Sequence, residues 1–471
     1  MATNLRLICG VVLALVAALV NIQLCATETV HTLPGYKGPL PFSLETGYID
    51  VGENESVNLF YYFIASQGDP TRDPLILWMS GGPGCSGLSS LFYEIGPLSF
   101  DVEGFDGIFP NLVNNLNPWT KVANIIFLDA PVGTGFSYAE SSSSYQVSDT
   151  ITANQTYKFL QKWYANHSRY LINDLYIGGN GYAGITVPLL VNQIYNGNKE
   201  GTFIPLKLRG YILGNPVTDK HAEYNGRVKF AFMKDLIPEE LYEAATSDCN
   251  GDYLRVDSEN YACKNDSSEI FACIMKINFR HVLEQKCDPM LSFTHGDYKW
   301  DLQDDDSNDT LLLLSNGTGR PMCRSFSYAL SYIWANDVNV QKSLGVRQET
   351  VLEWRRCNPL TAYVSDVTST VNYHQNFSET YLRALIFSGD HDMLVPQPST
   401  IHWIKSLGLR VREAWQPWLI DGQVAGYTTK HQKRRFILTF ASLKGAGHAA
   451  AEYKPKESLA MVYRWLLYSD L

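Results

Sequence analysis

Short apolar runs separated by Gly- and Pro-rich corners leave this chain few folds to choose from. They fall at Val57 to Ala65 (VNLFYYFIA), Pro74 to Met79 (PLILWM), Asn124 to Leu128 (NIIFL), Leu175 to Ile177, Leu208 to Leu213, Arg383 to Phe387 and Phe436 to Phe440. Runs of this length, stopped by Gly and Pro, suit strands buried in a parallel sheet. Between them, apolar residues recur at helical spacing from Ser148 to Tyr170, with Asp149 or Thr150 as the expected cap. Ile185 to Ile194 and Met461 to Leu467 read as further helices. Strands alternating with helices predict an α/β fold, a mostly parallel central sheet flanked by helices.

From about Lys220 to Met322 the rhythm changes to charged, helix-prone sequence carrying most of the cysteines. We read this as a cap inserted into a single domain covering 27–471. Its segment Asp304 to Gly319 (DDDSNDTLLLLSNGTG) is acidic and loop-like, either a processing site or an uncut exposed loop. Of the 471 residues 45% are hydrophobic, which excludes a disordered chain and supplies a large core. The formal net charge of -10 disfavours nucleic acid as a partner.

The first 26 residues read as a signal peptide: Arg6, then an apolar stretch from Leu7 to Val20, then small residues around Cys25 and Ala26. No later apolar run has transmembrane length, so no membrane association is expected after cleavage. Sequons at Asn54, Asn154, Asn166, Asn265, Asn308, Asn316 and Asn376 point the same way, to a secretory route ending in the vacuole or outside the cell. The mature cysteines (Cys85, Cys249, Cys263, Cys273, Cys287, Cys323, Cys357) fit no zinc or redox spacing and predict disulfides, with one thiol left over. No metal or organic cofactor is indicated.

Four segments carry chemistry. Gly179-Asn180-Gly181-Tyr182-Ala183-Gly184 lies between a strand and a helix, where α/β-hydrolases place the nucleophile on a cramped turn. Here the central residue has no side chain. Ser388-Gly389-Asp390-His391-Asp392 and Gly445-Ala446-Gly447-His448 follow later strands, which gives the hydrolase order of nucleophile, acid and base. An aspartate so placed fixes the tautomer of a general-base imidazole. Trp78 to Ser86 (WMSGGPGCS) supplies consecutive glycines whose N–H groups can approach a ligand oxygen, as an oxyanion hole requires. Each signal has a bland counterpart: a tight turn, a structural histidine, a disulfide-held loop.

Together with Asp129 to Tyr138 (DAPVGTGFSY) and Gly210 to Pro216 (GYILGNP), these blocks resemble the plant serine carboxypeptidase-like family across almost the whole mature chain. Ser80 before GGPG and the DAPVGTGFSY block resemble its acyltransferase branch. The resemblance implies an α/β-hydrolase fold with Asp392 as triad acid and His448 as base. Gly82 and Tyr182 would be the oxyanion donors, and Ser80, Glu94 and Asn180 the substrate-binding network. It also implies disulfides Cys85–Cys357, Cys249–Cys263 and Cys287–Cys323, which leaves Cys273 free. The family pattern at the elbow is G-[DE]-S-Y-[AS]-G, so Gly181 stands where the resemblance expects the nucleophilic serine.

Three functions are compatible with that departure. One is a non-catalytic companion of an active acyltransferase paralogue that uses 1-O-acyl-glucose donors and phenolic or other small acceptors. Another is a residual enzyme in which His448 activates an acceptor hydroxyl directly. The last is a module that binds an acyl-glucose or phenolic ligand; aromatics such as Trp415 and Trp418 are read as packing rather than as its lining.

Overall fold

The computed structural model describes residues 27–52, 56–201, 204–286, 324–360 and 362–471. The signal segment, the 304–319 loop, Asn54, Asn308, Asn316, Cys287 and Cys323 lie outside the described residues.

A 12-stranded sheet organises the chain. At its centre Asn124–Leu128, Leu75–Met79, Leu175–Asn180, Leu208–Gly214, Arg383–Gly389 and Phe436–Leu443 run parallel, side by side in that order. Antiparallel strands extend both edges: Val57–Ile64, Leu44–Asp50 and Thr27–Val30 on one side, Gln423–Lys433 and Arg410–Ile420 on the other. The apolar runs are therefore strands, and Leu75–Met79, Asn124–Leu128, Leu175–Asn180 and Arg383–Gly389 are buried throughout.

Their period of two divides the core. Leu75, Leu77 and Met79 face one cluster, while Ile76 and Trp78 face the other. Helices Asp149–Asn166 and Ala183–Glu200 cover the first face through Phe159, Trp163, Ile185 and Ile194. Arg324–Ala335 and Pro455–Leu466 contribute Trp334 and Trp465 to the second. Truncating a fully buried residue such as Leu77 to Ala would cost about 2–5 kcal/mol, because so dense an interior cannot collapse around the cavity.

The helix starting at Asp149 is capped neither by Asp149 nor by Thr150. Ser148 sits at the N-cap and its hydroxyl accepts from the Ile151 N–H at 3.2 Å. Asp149 turns inward instead and binds two tyrosine hydroxyls. The helix ends at Asn166, and a 3-10 turn, Ser168–Ile172, carries the chain to Tyr170 and beyond.

The antiparallel hairpin Arg410–Lys433 was not predicted, although its turn carried a signal. Asp421 and Gly422 both have positive φ, 51° and 74°, the conformation that a two-residue Asp-Gly hairpin turn demands. Within it Trp418 packs, 1% exposed, and its indole N–H donates to the Ser442 carbonyl. Trp415 departs from the packing expectation: it is 48% exposed and stacks on Tyr427.

After Leu208–Gly214 come three helices, Lys220–Met233, Glu239–Asp248 and Tyr261–Ile274, with their own small core of Val228, Phe230, Ile237 and Ile270. Cys249–Cys263 ties the last two together, and Cys85–Cys357 anchors the glycine loop after Leu75–Met79. Cys273 is free and exposed. Asn154, Asn166, Asn265 and Asn376 are exposed, as glycan acceptors must be. Among the described residues no helix is long and apolar enough to cross a membrane.

Candidate active site

The six parallel strands end at one edge of the sheet, and each end delivers one part of the site. That carboxyl edge is where open α/β sheets bind ligands.

At the elbow, Gly181 adopts φ +54°, and its N–H donates to the Gly214 carbonyl at 2.9 Å. The framing glycines are demanded by close approach. A Cβ on Gly179 would stand 2.4 Å from the Met79 carbonyl oxygen, and one on Gly184 2.3 Å from that of Val217. The turn thus packs tightly between its neighbours whatever occupies its tip. A Cβ at Gly181 would point at His448, 3.0 Å from Nε2.

Asp392 and His448 follow the strands Arg383–Gly389 and Phe436–Leu443. Asp392 is fully buried, and its Oδ2 lies 2.8 Å from His448 Nδ1. The same oxygen accepts from Asn215 Nδ2 at 2.7 Å, while Oδ1 accepts from the Val395 N–H at 3.0 Å. A carboxylate on Nδ1 holds the proton there and leaves the Nε2 lone pair directed at the Gly181 position. Asn215 also accepts from the Ala450 N–H, so one amide clamps both loops. The Arg280 carbonyl steadies the base further by accepting from the His448 N–H at 2.6 Å.

Glycines Gly81 and Gly82 close the opposite wall. A Cβ on Gly81 would lie 3.1 Å from the Tyr182 nitrogen, which shows how closely the two loops approach. Among the described residues, no group engages the Gly82 N–H or the Tyr182 N–H. The Tyr182 ring is fixed below, its hydroxyl 2.8 Å from both Asp149 Oδ1 and Ser365 Oγ. Asp129, fully buried, accepts from the Ser86 hydroxyl and from the Gly87 and Phe136 N–H groups. The DAPVGTGFSY block therefore serves to anchor the glycine loop. Burial pushes the Asp129 carboxyl up to about 6 despite those donors.

Ser80, Glu94 and Asn180 come together as one network beside the elbow. Asn180 Oδ1 accepts from the Gly81 N–H at 3.0 Å, and Ser80 Oγ lies 2.7 Å from Ser90 Oγ. Glu94 hydrogen-bonds to Asn180 and Ser90. Burial, and then the nearby Glu452 carboxylate, push its pKa up to about 7. Glu452 accepts from the Tyr328 hydroxyl at 3.0 Å and pairs with Arg324 at 3.2 Å. The Arg356 guanidinium lies 4.0 Å over the Tyr328 ring.

Sequence reasoning missed Asn215, Glu452, Tyr328, Arg324 and Arg356 as parts of this constellation. Asn215 had a signal, since it follows a strand in GYILGNP as Asp392 and His448 follow theirs. The arginines come from a distant helix and loop, and nothing local marks them. Among the described residues no group of His, Cys, Asp or Glu could hold a metal ion.

The fold is that of an α/β-hydrolase, with the Asp392–His448 pair, the Gly81–Gly82 loop and the Gly181 turn gathered at the carboxyl edge of its sheet. The serine carboxypeptidase family model matches residues 34–468, and the chain belongs to that family. Serine carboxypeptidase-like 17 of Arabidopsis thaliana is 42% identical over 449 residues, 95% of each chain. Serine carboxypeptidase-like 9 of the same plant is 43% identical over 437 residues, 93% of each. The crystal structure of KEX1(DELTA)P, a prohormone-processing carboxypeptidase from Saccharomyces cerevisiae, superposes with a TM-score of 0.70 at 18% identity. It covers 90% of this chain and 91% of its own, and so shares the fold.

Proposed function

We propose that this chain is a catalytically impaired, acyltransferase-like member of its family that acts as a non-catalytic companion of an active paralogue. The paralogue would transfer acyl groups from 1-O-acyl-glucose esters to phenolic acceptors, of galloyl or sinapoyl type, or to other small acceptors. The observation that carries the reading is Gly181, which puts only hydrogen where His448 Nε2 points. Covalent double displacement needs a hydroxyl there. Deleting the nucleophile of a serine hydrolase lowers kcat by about 10⁶, roughly 8 kcal/mol of transition-state stabilisation. Ser80 and the DAPVGTGFSY anchor support the acyltransferase branch. The apolar leader and the exposed sequons support passage through the secretory pathway to vacuole or apoplast.

The test is co-expression. The chain alone, a serine-bearing paralogue alone and the two together are each given an acyl-glucose and a phenolic acceptor. A companion gives product, or more soluble paralogue, only in the pair. Equal yield with and without this chain would exclude the role.

One observation favours a second reading, direct transfer. The Asp392–His448 pair is intact and two N–H groups stand unengaged beside it. An acceptor hydroxyl in the Gly181 space would lose its proton to Nε2 while attacking the donor carbonyl, with the oxyanion at Gly82 and Tyr182; as that intermediate collapses the ester bond to glucose breaks and the leaving oxygen takes the proton back from Nε2. Turnover by the solitary chain that disappears in His448→Leu would support it.

A further inference from the structure

The elbow carries no side chain at its tip, yet the N–H groups and the imidazole nitrogen around it have no partner among the described residues, and unpartnered polar groups define a ligand. We infer that the Gly181 corner is a non-covalent binding site for a small carboxylate anion. The inference goes beyond the companion role and requires no partner protein.

Three independent features converge on the vacated point. His448 is nine-tenths buried, its Nδ1 is taken by Asp392, and no group of the described chain meets its Nε2, which lies 3.0 Å from where a Gly181 Cβ would be. Gly81, whose Cα lies 3.9 Å from the same point, and Gly181 itself are followed in the chain by Gly82 and Tyr182, whose N–H groups meet no other group of the described residues. Tyr182 N-caps Ala183–Glu200, an 18-residue helix whose N-terminal end carries partial positive charge.

The shape of this donor set selects the ligand class. A single water must serve all these points with one oxygen, and a neutral ester has no proton to share with Nε2. A carboxylate offers two oxygens: one accepts from the N–H groups, and the other shares with Nε2 one proton taken up on binding. The imidazolium then lies between Asp392 and the ligand, paired on both nitrogens, which is the charge-assisted arrangement that hydrogen-bonds most strongly. With a serine at 181 its Oγ would fill this space. Here no covalent bond forms, so the anion is held and released intact. Glu94, a buried carboxyl of the neighbouring network, is engaged by Asn180 and Ser90.

Calorimetric titration of the purified full chain tests the assignment, with benzoate as probe, acetate as the smaller anion and benzamide as the neutral isostere. Benzoate or acetate should bind, and benzamide about tenfold or more weakly than benzoate. Gly181→Ala, whose methyl fills the space, and His448→Leu, which removes the donor, should each weaken the anion about tenfold or more. Melting curves establish that both variants fold, and Gly181→Ser replaces Gly181→Ala if it does not. Benzamide binding as tightly as benzoate, anion affinity unchanged in the Gly181 variant, or no heat from either anion would overturn the assignment. None of these outcomes touches the co-expression test.

Discussion

The two halves of the site are held by different means. At the elbow, backbone does everything: Gly179 and Gly184 press against Met79 and Val217, and the Gly181 N–H binds Gly214. At the acid–base corner, side chains do the holding: Asn215 and His448 share one oxygen of a fully buried Asp392. A turn fixed by its backbone keeps its shape when its tip side chain is absent. A corner built from side chains keeps its shape only while each of them remains. The first half therefore needs no side chain at its tip to hold its shape, whereas the second depends on every one of its own.

The sharpest way to break this contrast is to return a hydroxyl to the elbow. Gly181→Ser should gain covalent labelling by a serine-directed fluorophosphonate, on the order of 10³-fold or more over the parent. The backbone already has the required turn, and His448 need yield only a few tenths of an ångström to a Cβ 3.0 Å away. Unlabelled Gly181→Ser would mean that the donors are not aligned with the turn.

Next in size is the side-chain corner. Asn215→Leu strips two hydrogen bonds from a buried carboxylate and an N–H, and should cost about 2–4 kcal/mol in urea unfolding. A loss below about 0.5 kcal/mol would dissolve the contrast.

The network behind the elbow is set apart by pH. Glu94 has its pKa raised to about 7 by burial and by Glu452. Its protonated form is the one the fold favours. The stability it confers is complete below its unfolded value and drains away as pH rises from about 4.5 to about 7. Over that range the parent should lose about 3 kcal/mol relative to Glu94→Gln, which cannot ionise. Parallel stability profiles would contradict the burial of this carboxyl.

The smallest effect belongs to Gly181→Ala. A Cβ at φ +54° costs about 1 kcal/mol, and a melting point lowered by a few degrees at most is expected. A large loss would show that the tip shapes the turn after all.

The same division explains what the sequence made legible. Parallel strands announce themselves as short apolar runs with glycine corners, so the central sheet, the elbow and the loops of Asp392 and His448 could be placed from local pattern. The hairpin Arg410–Lys433 escaped because its outer strand is largely exposed and interrupts its apolar residues with Arg412, Glu413, Gln416 and Pro417, and only Asp421-Gly422 marked it. Arg324 and Arg356 escaped for another reason: they reach Glu452 and Tyr328 from segments far away in sequence. Asp149 shows the limit of local rules, since a residue suited to capping a helix was drawn inward by Tyr182 and Tyr363.

The most direct test is the intact mass of the unmodified chain after exposure to an isotope-labelled acyl-glucose and acid quenching. The account predicts the mass of the free polypeptide, with the acyl group recovered entirely in solution. A stoichiometric gain of one acyl group, mapped to any side chain of the pocket, would contradict it.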